Sequence, residues 1–147
     1  MLFDDLTDKE KAQLERIGRV RSFARGSVLL REGDNGNSLF VIRTGVVELR
    51  KPFDNEQYKQ LRDLVPGDFF GELSFLTDAP RSAEAIALRD AEVLEIRRRD
   101  FNRLIRRNPA LGLKIYRGMA EELAQRLRRN NEDLKSTVLR ALDEMVS

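Results

Sequence analysis

The sequence predicts an α+β chain, mainly β: an antiparallel β-roll or jelly roll flanked by a short N-terminal helix, a second short helix and a long C-terminal helix. Three observations predict it. From about Ser22 to Ile96, short runs rich in Val, Ile, Leu and Phe alternate with turn signals every roughly 8–12 residues. No long helical segment separates those runs, which argues against a parallel α/β sheet. After Ile96 the apolar period becomes helical, and no proline interrupts residues 110–146.

In chain order, Thr7 and Glu10 have the spacing of a capping box, so a helix starts at Leu6-Thr7-Asp8. Leu14 and Ile17 follow at helical intervals, and Gly18 stands where a C-terminal cap is expected. The expected strands are residues 28–30, 39–42, 46–49, 58–64, 69–70, 83–88 and 93–96. Gly33 and Gly36 read as hairpin-turn positions needing positive φ. Phe101, Leu104 and Ile105 share one helical face, and Asn108-Pro109 ends that helix and starts the next.

As one helix, residues 110–146 extend about 55 Å, while a compact chain of 147 residues is about 40 Å across. Part of the helix is therefore expected to protrude. It carries a seam at alternating steps of four and three: Ala120, Ala124, Leu127, Asn131, Leu134, Val138, Ala141 and Met145. This is the spacing of a two-stranded coiled coil, and a lone Asn131 there fixes register. Tyr116, Met119 and Leu123 form a second stripe suited to packing on the β-domain. Leu139, Leu142 and Val146 widen the apolar face near the end. The competing reading is a hairpin folded back near Lys135-Ser136-Thr137.

Composition removes whole classes of chemistry. The chain has no Cys and no His. Thiol nucleophiles, thiolate zinc sites, imidazole bases and His-held metals are therefore excluded. That also removes a metal-dependent jelly-roll enzyme, and no enzymatic activity is expected. With 27 basic and 25 acidic residues, the net charge of +2 gives little pull on nucleic acid, so no DNA partner is expected. No apolar run is long enough for a membrane span, and the acidic start lacks a secretory pattern. The expected compartment is the cytoplasm. Residues 32–37 lack the ligand spacing of a calcium loop, so no metal is expected. The Arg97-Arg98-Arg99 run, with Arg103, Arg106 and Arg107, reads as a solvated helix face.

The stretch that carries chemistry is residues 66–83, PGDFFGELSFLTDAPRSA. Glu72 to Leu76 can make one helical turn, with Gly71 before it. A helix start presents free N–H groups and a partial positive charge, and a glycine lets a ligand approach the backbone. Arg81 brings a fork matched to phosphate oxygens, and Ser82 brings a hydroxyl. Glu72 repels phosphate but can accept from a sugar hydroxyl. A monoanion bearing a ribose fits this set better than a triphosphate.

Gly71-Glu72-Leu73 followed by Pro80-Arg81-Ser82-Ala83 resembles the phosphate-binding cassette of cyclic nucleotide-binding domains. The resemblance extends to GSVLLREGD at residues 26–34, LFVIRTGVV at 39–47, LEIRRRDFNRL at 94–104 and AQRLRRNN at 124–131. The last is similar to the C-helix of catabolite activator-type proteins. The resemblance implies a β-roll holding cyclic AMP or cyclic GMP. It implies backbone contacts from Gly71 and Leu73, a ribose contact from Glu72, and phosphate contacts from Arg81 and Ser82, with Ala83 beside them as a further ligand-binding candidate. Arg126, Asn130 and Asn131 are the C-helix candidates to close over the base. Ser82 has a hydroxyl but no methyl, which leans the expectation to cyclic AMP.

The expected organisation is residues 1–109, the ligand-binding roll with its flanking helices, and residues 110–147, a helix serving as lid and homodimer seam. The expected function is a stand-alone sensor that transmits binding through this helix. The alternatives are the sensor piece of a longer regulator, or a degenerate fold that binds a protein partner. A DNA-reading regulator needs a recognition helix after the C-helix, and the sequence as given shows none.

Overall fold

The computed structural model describes residues 2–54 and 56–146, the last of these (Val146) without its side chain. It shows α1 (Asp8–Ile17), β1 (Arg19–Phe23), β2 (Val28–Leu30), β3 (Ser38–Thr44), β4 (Val47–Pro52), β5 (Tyr58–Leu64) and β6 (Phe69–Phe70). There follow α2 (Glu72–Thr77), β7 (Glu84–Ala87), β8 (Ala91–Arg97), α3 (Arg98–Arg107) and α4 (Pro109–Val146). The strands form two antiparallel four-stranded sheets, ordered β1-β8-β3-β6 and β2-β7-β4-β5. This is the predicted β-roll with its flanking helices.

The first sheet is a middle layer, and its sequence says why. Side chains alternate across a strand. On β3, Leu39 and Val41 join the helix-side core, while Phe40 and Ile42 join the core between the sheets. Phe69 and Phe70 divide in the same way, as do Leu94 and Ile96 against Val93. Burial on both faces turns what would be an alternating strand into the unbroken apolar run Leu39-Phe40-Val41-Ile42.

The capping box at Thr7 and Glu10 is formed in both directions. Gly18 does cap α1, yet its φ is −87°, so left-handed freedom is not what this position needs. A Cβ there would lie 2.5 Å from Leu94 Cδ1, and close packing is the reason for glycine. The strand β1 begins at Arg19, ahead of the expected start near Ser22. Its sequence RVRSF carries little apolar signal because it is a mostly exposed edge strand.

The long helix is continuous from Pro109 to Val146, and the hairpin near Lys135 does not form. Asn108 serves its start, with Oδ1 accepting from the Leu111 N–H at 3.2 Å. Met119 is buried as the second stripe implies, and Ile115 and Leu111 extend that stripe one and two turns earlier. These residues join Phe75 and Phe101 in the helix-side core, and Tyr116 meets Phe101 edge-on at 5.5 Å. Gly112 lets Ile105 of α3 come close: a Cβ there would stand 2.8 Å from it. Beyond Arg126 the helix leaves the domain, and every residue from 127 to 145 is exposed. No helix among the described residues is long and apolar enough to cross a membrane.

Candidate functional site

Six of the residues singled out in the sequence meet in one cleft. Gly71, Glu72, Leu73, Arg81, Ser82 and Ala83 line it together with Leu30, Leu49 and Ser74. The local fold explains the meeting. β6 ends at Phe70, Gly71 turns the chain at φ +79°, and α2 begins at Glu72. Phe75 buries in the helix-side core, 5.2 Å from the Phe101 ring, and pins α2 down. Asp78 closes α2 at φ +63° and sends the chain back across its own start.

Arg81 is the centre of the cleft. It is 5% exposed, and among the described residues it forms no ion pair. Its Nη1 donates to the Gly71 carbonyl at 3.0 Å and its Nη2 to the Ser38 carbonyl at 3.1 Å. The guanidinium lies 5.6 Å from the Phe40 ring centre. Burial pushes its pKa down, while the carboxylates of Glu95 and Glu72 act in the other direction. A buried cation held only by neutral carbonyls is poorly compensated, and an anion is what compensates it.

The seat of Arg81 escaped the sequence. Gly36 lacks the positive φ assigned to it; only Gly33, at +86°, has one. A Cβ at Gly36 would come within 3.2 Å of Arg81 Nη2, so this glycine clears space for the guanidinium. The loop carrying both glycines is bonded to the cassette backbone: the Arg81 N–H donates to the Asp34 carbonyl at 2.8 Å, and the Gly33 N–H donates to the Arg81 carbonyl at 2.9 Å. Behind Ser38 stands Glu95. Burial works to raise its pKa, but the Ser38 hydroxyl, Arg19 and Arg21 together bring it below the usual value. The signal available in the sequence was Gly36-Asn37-Ser38, small polar residues just before an apolar strand.

Glu72 does not pair with Arg81. Its partner is Arg126 of α4, at 3.4 Å. Arg126 Nη2 also donates to the Phe69 carbonyl at 2.9 Å, and the guanidinium lies 4.5 Å from the Phe69 ring centre. One turn earlier, Glu122 faces Arg62 of β5 at 3.9 Å and Arg126 Nε at 3.5 Å. The long helix thus touches the cleft through Arg126. Asn130 and Asn131 are not brought there. Asn130 is exposed one turn past Arg126, and Asn131 lies on the outward seam beside Ala124 and Leu127. The reason is geometric: successive helical residues turn by about 100°, so Asn131, five after Arg126, faces elsewhere.

The comparisons agree with this geometry. Residues 20–108 match the model of the cyclic nucleotide-binding domain. The cyclic AMP receptor protein of Thermus thermophilus is 36% identical over 133 residues, 90% of this chain and 60% of that protein. A cAMP-dependent protein kinase regulatory subunit of Hypocrea atroviridis is 34% identical, over 77% of this chain and 25% of that one. The chain therefore spans less than two thirds of the length of either relative. Among solved structures, the Thermus thermophilus catabolite activator protein superposes with a TM-score of 0.79 at 34% identity, covering 91% of this chain and 61% of that one. A cyclic nucleotide-binding domain from Methylobacillus flagellatus gives 0.84 at 27% identity, over 93% and 77%. With the family model matched across the whole β-roll and the cleft, this chain belongs to the cyclic nucleotide-binding domain family.

Proposed function

We propose that the cleft binds a cyclic nucleoside monophosphate and that α4 reports its occupancy, making this a non-enzymatic sensor domain. The observation that carries the reading is Arg81, a buried guanidinium with no carboxylate partner among the described residues. In this reading Arg81 and the Ser82 hydroxyl hold the cyclic phosphate, with backbone N–H groups of Gly71, Leu73 and Ala83 beside them. Glu72 accepts from the ribose hydroxyl. Calorimetric titration of the chain with cyclic AMP and cyclic GMP tests it, and the absence of binding to both overturns it.

The base choice leans to cyclic AMP because Ser82 supplies a hydroxyl without a methyl. The expected discrimination is weak. A preference for cyclic GMP above about tenfold, or about 1.4 kcal/mol, overturns this lean. Ligand action on α4 follows from the shared carboxylate. A ribose hydroxyl on Glu72 shares the carboxylate that Arg126 holds through Oε1, so binding changes what holds the helix to the roll. Asn131 then serves the seam, where a second copy of the chain covers the exposed apolar stripe.

Gly71→Ala tests the cleft from another side. A side chain at φ +79° costs about 1–2 kcal/mol. The added Cβ would also stand 2.8 Å from Arg81 Nη1 and 3.0 Å from the Ser38 carbonyl. The expected result is a folded protein of lower melting temperature whose cyclic AMP affinity falls by about tenfold or more. Calorimetry on the folded variant reads this, and unaltered affinity refutes the assigned close approach.

A further inference from the structure

We infer that Lys51 is a positioning residue of the anion site, which aims the Ala83 N–H into the cleft by holding the Ser82 carbonyl. The inference rests on the reading of this cleft as an anion site. A trans peptide is planar, and its C=O and N–H point in opposite directions. The Arg81 carbonyl accepts from the Gly33 N–H at 2.9 Å. The next carbonyl, that of Ser82, accepts from Lys51 Nζ at 3.0 Å. Each bond turns a carbonyl toward its donor and so sends the following N–H, of Ser82 and then of Ala83, the other way.

Neither of these N–H groups has a hydrogen-bond acceptor among the described residues, and both residues line the cleft. Two successive free N–H groups beside a buried guanidinium make a concave donor set suited to an anion. The first peptide is fixed by a backbone bond, so no side chain decides it. The second is fixed by a side chain from a strand 31 residues away in sequence. Lys51 is itself held in place: Glu32, just past the end of β2, meets its Nζ at 2.6 Å. No other group among the described residues donates to the Ser82 carbonyl.

This makes Lys51 a second cation of the site, outside the cassette, although it is half-exposed and lies beyond the strand expected at residues 46–49. Its role is directional. A neutral side chain of similar length keeps the stem and loses the donor, while arginine restores a donor and the charge.

The test is calorimetric titration of wild type, Lys51→Met and Lys51→Arg with cyclic AMP, at low salt and at about 0.5 M salt. Lys51→Met is expected to bind about tenfold more weakly, and Lys51→Arg to recover to within about threefold of wild type. The loss is expected to persist at high salt, because a short hydrogen bond and not a distant charge is removed. In nuclear magnetic resonance spectra, the ligand-induced shift of the Ala83 amide proton should be large in wild type and shrink in Lys51→Met. Three results overturn the inference while leaving the reading of the site intact: unaltered affinity of Lys51→Met, a loss that vanishes at high salt, or an Arg variant no better than Met. If wild type binds neither cyclic nucleotide, the reading of the cleft falls and this inference falls with it.

Discussion

Arg81→Ala is expected to lose cyclic nucleotide binding by at least about thirtyfold, roughly 2 kcal/mol, while the chain stays folded. The size follows from the setting. The guanidinium is 5% exposed, and a charge-assisted phosphate bond in such shelter is worth about twice a neutral one. The fold is expected to tolerate the change because two effects oppose each other. Truncation frees the Gly71 and Ser38 carbonyls from Arg81, which is unfavourable; the Gly71 carbonyl keeps its bond from the Phe75 N–H at 3.2 Å. It also removes a buried charge that no carboxylate among the described residues pairs directly, which is favourable. Thermal unfolding should therefore shift little while calorimetry shows affinity lower by at least about thirtyfold. Arg81→Lys keeps the charge without the fork, and should fall between the two. An alanine variant with wild-type affinity would remove Arg81 from the site altogether.

What the sequence made legible was the part of the site that is contiguous. Gly71 to Ala83 carry their own turn, helix and cation, so their grouping in one cleft follows from local rules. The helix start after Gly71, the helix boundary at Asn108-Pro109 and the capping box at Thr7 are local in the same sense. What stayed hidden depends on distant pairings. Ser38 meets Arg81 across 43 residues and Lys51 meets Ser82 across 31, and no periodicity encodes either contact. Gly36, in the turn signal Gly33-Asp34-Asn35-Gly36, reads as a turn residue, whereas its use is to leave room for a side chain that arrives from elsewhere. The strand β1 carries no clear signal because an edge strand need not alternate. Arg126 was legible only through the family resemblance; in the structure it lies seven residues, about two turns, after the buried Met119 and so shares its face. The same phase argument, applied strictly, puts Asn131 on the outer face.

The last expectation concerns that outer face. Leu127, Leu134, Val138 and Met145 stand 62%, 63%, 48% and 82% exposed on the part of α4 that has left the domain. Their spacing of seven, four and seven residues keeps them on one stripe, which a second copy of the chain would cover. Leu134→Asp puts a carboxylate at the middle of that stripe, twice in a dimer. Losing a buried leucine costs about 2–5 kcal/mol, and a desolvated charge adds to it. Dimerisation should weaken by at least about a hundredfold, read by sedimentation. The isolated chain should be indifferent, within about 0.5 kcal/mol in thermal unfolding, because the residue touches little of its own domain. Leu127 of the stripe is the next residue after Arg126, whose guanidinium holds Glu72 and the Phe69 carbonyl. Any repositioning of the helix by its partner therefore moves Arg126 against Glu72, the carboxylate proposed to hold the ribose. By linkage, whatever the dimer does to ligand affinity, the ligand does to the dimer by the same factor. The variant should thus shift cyclic AMP affinity by about threefold or more as it becomes monomeric. A monomer that binds with wild-type affinity would show the two sites to be uncoupled. A variant that stays dimeric would place the interface elsewhere.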